Sequence, residues 1–110
     1  MTTKHRRFIH SKFCIVCGKY GVDQAHIRSI NLDWNKQITG MGRKPSDVWT
    51  LPLCRNCHTE QHKMNELKFW EKHGINPFEE AINYALRSDC AKIRQEAKKI
   101  KEERIDNEEM

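Results

Sequence analysis

Two cysteine pairs constrain this chain more than anything else in it: Cys14-Ile-Val-Cys17 and Cys54-Arg-Asn-Cys57, with 36 residues between them. Cysteines two apart close a small chelate ring on a tetrahedral ion, and two such pairs complete a four-sulfur zinc site that draws distant stretches together. Such a staple is needed. Of the 110 residues 37% are hydrophobic and 32% charged, so apolar burial alone yields a thin core. Metal binding, on the order of 10 kcal/mol, becomes folding free energy when the unfolded chain has no preformed site. No apolar run of signal-peptide kind follows Met1-Thr-Thr-Lys-His-Arg-Arg7, and no stretch approaches membrane-spanning length. The expectation is therefore a cytoplasmic, reducing setting and no membrane. There the paired cysteines hold metal in preference to disulfide or redox chemistry, and Cys90 is a free thiol.

The formal charge of +5 is concentrated at one end. Residues 1–22 carry Lys4, Arg6, Arg7, Lys12 and Lys19 and no acidic residue, whereas residues 87–110 carry seven charges of each sign. Residues 1–12 thus read as a basic arm, with Arg6 and Arg7 available to phosphates and with His5 and His10 not expected to be ligands. A polyanion is the simplest partner for such a surface.

Phe13 to Lys19 reads as a zinc knuckle in which Gly18 permits a left-handed turn after the second cysteine. A strand is expected over Val22 to Arg28, with Gln24, His26 and Arg28 on one face and Asp23, Ala25 and Ile27 on the other. Residues 29–46 form a long polar connection ending in Thr39-Gly-Met-Gly-Arg-Lys-Pro45, where glycines and a proline forbid regular structure. Arg43 and Lys44 beside Gly40 and Gly42 suit a phosphate contact or an exposed loop equally. Val48 to Leu53 is a second strand, which delivers the chain to Cys54. From His58 a helix is expected to about His73, with Met64, Leu67 and Trp70 buried and Gly74 as its stop. Asn76-Pro-Phe-Glu79 starts another helix with Asn as cap and Pro at the first position. That helix is amphipathic through Phe78, Ile82, Ala85 and Leu86. Beyond Arg87 a charged, fraying helix follows, with heptad-like spacing too short for a coiled coil.

Knuckle, strand with His26, long loop, strand, knuckle, and helix with His58 and His62 is a ββα order, which resembles the HNH (ββα-metal) nuclease family. More narrowly, Ala25-His-Ile-Arg28, Gly40-Met-Gly-Arg-Lys-Pro-Ser-Asp47 and Pro52-Leu-Cys-Arg-Asn-Cys-His58 look like the phage and prophage branch that includes the Ref and YbcO nucleases. The resemblance covers roughly Cys14 to Ile75. It implies a small α+β fold: a zinc-stabilised ββα-metal domain over 13–75, and a C-terminal helical extension over 76–110. It implies DNA as substrate, His26 as general base, and His58 and His62 as ligands of a catalytic divalent cation (Mg2+, Mn2+, Ni2+ or Zn2+) distinct from the structural zinc. The family commonly has Asp or His before the base, where this chain has Ala25, so Asp23 and Asp47 are the candidates for a third ligand. Arg28, Arg43 and Lys44 join Arg6 and Arg7 as phosphate contacts. A recombination or replication protein is a further implied partner, and the last helix leaves monomer or dimer open.

The chemistry asks for such groups. Phosphodiester hydrolysis needs an activated water, a Lewis acid for the phosphorane and leaving oxygen, and cations that position the backbone. Histidine titrates nearest neutrality and so suits the base. A metalloprotease is excluded by register: in His58-Thr-Glu-Gln-His62 the Glu stands two residues after the first His, where a zincin needs it immediately after. The competing reading is a catalytically silent zinc module that binds nucleic acid or protein, with His26 as a core histidine and His58 a substitute ligand in the structural site.

Overall fold

The computed structural model describes residues 3–29 and 46–108. Its centre is a two-stranded antiparallel sheet, β1 (Val22–His26) and β2 (Thr50–Cys54). The register pairs Val22 with Cys54, Ala25 with Leu51 and His26 with Thr50. Two strands alone are marginal in water, so this sheet depends on what covers it. Val22, Ala25, Leu51 and Leu53 are buried, as is Ile27 just beyond β1, whose N–H donates to Trp49 O at 2.9 Å. Pro52 has no N–H to give, and its carbonyl accepts from Ile15 N–H of the first knuckle at 3.0 Å.

Residues 3–10, expected as part of an arm, instead form helix α1 (Thr3–His10). His5, Phe8 and Ile9 recur at helical spacing and are buried, while Lys4, Arg6, Arg7 and His10 stay in solvent. Three inward residues among many cations suffice because the helix packs on both strands. His5 is wholly buried: Nδ1 is bonded to Ser88 Oγ at 2.8 Å and Nε2 to Thr50 Oγ1 at 3.4 Å. Thr50 Oγ1 in turn donates to Asp47 O at 2.7 Å. Burial holds the His5 pKa below its ordinary value, against an opposing pull from Asp47.

The single helix expected from His58 to His73 is two. α2 (Arg55–Lys63) begins directly after Cys54, and α3 (Glu66–Lys72) restarts after Asn65, whose side chain accepts from Lys68 N–H. This restart turns the helix about its axis. Phe69 and Trp70 are buried, but Leu67, expected inside, is exposed. α3 ends as expected at Gly74, φ 65°, where Gly74 N–H donates to Glu71 O and Ile75 N–H to Trp70 O, both at 3.0 Å.

α4 (Pro77–Leu86) starts as read, with Asn76 Oδ1 accepting from the N–H groups of Phe78 and Glu79 at 3.2 Å. Phe78, Ala81, Ile82 and Ala85 enter the core, and Phe78 meets Trp49 edge-on. The extension continues as α5 (Ala91–Glu108), whose Ile93 and Ala97 are buried in the same core. The architecture is a small α+β arrangement of five helices and one sheet among the described residues. None of these helices is long and apolar enough to cross a membrane.

Candidate functional site

The two knuckles meet. Sγ atoms of Cys14, Cys17, Cys54 and Cys57 all lie within 4.8 Å of one another, and Cys17 Sγ is 3.6 Å from Cys54 Sγ. Sulfurs about 2.3 Å from a tetrahedral zinc stand roughly 3.8 Å apart, so the four fit such an ion. Local backbone supports this. Gly18, at φ 76°, turns the chain after Cys17, and Cys17 N–H points at Cys14 Sγ at 3.5 Å. Burial raises the Cys14 thiol, but backbone N–H groups of Cys54, Cys17 and Val16 outweigh it and bring its pKa down to about 7. Cys57 is pushed strongly up by burial and by its bonds with Cys54 and Cys14. Four crowded sulfurs cannot all ionise unaided, and a dication is the charge that lets them. The chain thus holds a four-cysteine cluster able to bind a metal ion such as zinc.

Beside it, β1 and α2 bring a second set of groups together. His58 donates through Nδ1 to Asp23 Oδ2 at 3.0 Å, and Arg55 Nε holds the same oxygen at 3.1 Å. The bond from His58 keeps the Asp23 carboxyl below its usual range, against burial and with help from Arg55. With its proton on Nδ1, His58 presents a lone pair at Nε2. His62 Nε2 lies 3.1 Å away, one helical turn on, and Arg28 Nη2 is 3.3 Å from His62 Nε2. A guanidinium only donates, so His62 Nε2 accepts from Arg28. Burial first, then the neighbouring Arg28 guanidinium, lower the His62 pKa, against an opposing pull from Glu66. The 3.1 Å between the two Nε2 atoms is a hydrogen-bond distance, and it is also the separation of nitrogens about 2.1 Å from one ion at roughly a right angle.

His26, at the end of β1, donates through Nε2 to Asp47 Oδ1 at 3.0 Å, with both side chains one-quarter exposed. The structure therefore separates the two aspartates that the sequence left as alternatives. Asp23 orients His58 from behind, and Asp47 orients His26. Arg28, read as a phosphate contact, has its guanidinium against His62. Arg43 and Lys44 lie outside the described residues, and Arg6 and Arg7 are exposed on α1.

Gln61 and Glu66 had no sequence signal. Gln61 is buried between the two helix histidines' turns, and its Nε2 donates to His26 O at 3.4 Å and Glu66 Oε2 at 3.2 Å. Glu66 carboxylate oxygens accept from the N–H groups of Arg28 and Ser29 at 3.1 Å, clamping the chain where β1 ends.

The family described as "Protein of unknown function (DUF968)" matches residues 1–89. The chain is also similar to "Uncharacterized protein YdfU" of Escherichia coli (strain K12), at 32% identity over 71 residues, which is 64% of this chain and 18% of that protein. The chain thus spans less than a fifth of the length of this relative. No solved structure matches it.

Proposed function

This chain belongs to the family described as Protein of unknown function (DUF968), and we propose that it is a divalent-metal-dependent DNA endonuclease or nickase of HNH type. The observation that carries the reading is the pair of oriented histidine sets: Asp23–His58–His62 with two Nε2 atoms 3.1 Å apart, and Asp47 bonded to His26 at the end of β1. A carboxylate behind His58 and another behind His26 fix the tautomers of those two rings.

In this mechanism Asp47 holds the proton of His26 on Nε2, so Nδ1 carries the lone pair. Nδ1 accepts a proton from water as the water oxygen forms its bond to phosphorus. The P–O ester bond then breaks, and the leaving oxygen takes up a proton from solvent water, while His26 later returns its extra proton to solvent. His58 and His62 would hold the divalent ion, which supplies Lewis acidity to the phosphate oxygens. Arg28, Arg6 and Arg7 provide positive charge for the backbone, which positions DNA without reading its sequence.

The test is nicking of supercoiled plasmid by wild type, His26→Ala and Asp47→Asn with magnesium, manganese or nickel. Wild type should cut with at least one ion, His26→Ala should not, and Asp47→Asn should be slower by about a hundredfold. Absence of cutting by wild type on plasmid, single strands and branched DNA would defeat the reading.

A second reading has one observation in its favour. Among the described residues the four cysteines are the one group of three or more metal-ligating side chains gathered tightly enough for an ion. A silent zinc module that binds nucleic acid or protein would need nothing more. One tightly held zinc per chain with no second, labile ion would favour it.

A further inference from the structure

Phe13 and Tyr20 are 52% and 76% exposed, yet they are not scattered surface residues. Cys14 N–H donates to Lys19 O, and Gly18 N–H to Cys14 O, each at 2.9 Å. These bonds fold the knuckle back on itself and set residues 13 and 20 opposite one another. Their rings meet with centroids 4.4 Å apart and planes inclined at 55°. Gly18 and Gly21, at φ 76° and 78°, bracket the segment that carries Tyr20. The first cysteine knuckle thus holds an exposed aromatic pair.

What surrounds the rings decides what they suit. Residues 1–22 hold five cations and no acid. Lys4, Arg6, Arg7 and Lys19 are exposed, and Lys12 extends over the Phe8 ring at 4.4 Å. An apolar protein surface would not call for this charge, and a polyanion alone would not call for the rings. Flat apolar faces joined to a negatively charged backbone satisfy both, and in nucleic acid those faces are free only where bases are unpaired.

We propose that the Phe13–Tyr20 knuckle is a docking surface for single-stranded DNA, with unpaired bases stacking on the rings while Lys19 and the outer face of α1 hold the phosphates. The choice of DNA rests on the proposed function, and the surface itself rests on exposure, ring geometry and charge. It lies just before β1 in the chain, and His26 stands at the far end of that strand.

The test uses zinc-loaded full-length His26→Ala protein, so that oligonucleotides survive the assay. Fluorescence anisotropy reads binding of labelled oligothymidine, its duplex with oligoadenine, and oligouridine RNA. Adding Phe13→Ala and Tyr20→Ala together should weaken oligothymidine binding by about tenfold or more and leave duplex binding within about twofold. The ring-keeping pair Phe13→Tyr and Tyr20→Phe should bind as the parent does. If zinc content drops in the alanine pair, Tyr20→Ala alone decides, because that side chain is mostly in solvent. Unchanged oligothymidine binding, an equal loss on duplex, or tighter ring-dependent binding of RNA would each overturn the proposal. Nicking by wild type is scored separately, so the nuclease reading and the docking surface fail independently.

Discussion

His58 Nδ1 lies 3.0 Å from Asp23 Oδ2, and through that bond a strand residue determines which nitrogen of a helix histidine faces His62. Loss of such an outer carboxylate commonly costs about 10- to 100-fold in metal affinity. Asp23→Asn should therefore weaken manganese or nickel binding at the histidine pair by that factor, while zinc on the cysteines is retained. Titration calorimetry on zinc-loaded protein checks this, and equal affinity would remove Asp23 from the site.

Removal of zinc should unfold the chain, because the cluster joins the first knuckle to the end of β2 and, among the described residues, the sheet has two strands. Cys54→Ser should behave like chelation. Circular dichroism against chelator concentration should record loss of helix in step with loss of metal, on the order of several kcal/mol of stability. Retention of helix and a cooperative melt in metal-free protein would count against a structural role.

Histidine 5 is held neutral by burial, its pKa lowered in the fold. The unfolded chain then binds more protons below its own histidine pKa, so this contribution is fully present above about pH 6.5 and is lost as pH falls toward the lower folded value. Urea midpoints from about pH 7.5 to about pH 5.5 should drop further for wild type than for His5→Gln. Zinc release affects both proteins alike, so parallel curves would refute the assignment.

Asn76 accepts two backbone N–H groups at the start of α4. Asn76→Ala should cost about 1 kcal/mol in urea unfolding, while Asn76→Asp should cost much less, since aspartate caps as well.

What the sequence disclosed was local. The cysteine spacing, the glycine that ends α3 and the Asn-Pro start of α4 each depend on a few neighbouring residues, and each stands where it was read. What it concealed depended on partners far along the chain. Helix α1 has only His5, Phe8 and Ile9 facing inward, and they make sense only beside a sheet whose second strand lies some forty residues later. The apolar series Met64, Leu67, Trp70 suggested one unbroken helix, but capping by Asn65 restarts it and exposes Leu67. Asp47 reaches His26 across 21 positions, and Gln61 reaches the His26 carbonyl across 35. No periodicity reports pairings of that kind.

The bond between His5 and Ser88 brings together residues 83 positions apart, near the two limits of the family match at 1 and 89. Residues 5 and 88, close to the two limits of the matched stretch, are therefore side by side. A unit shaped in this way occupies one point of attachment in a longer polypeptide and can be carried there without the flanking chain having to cross it.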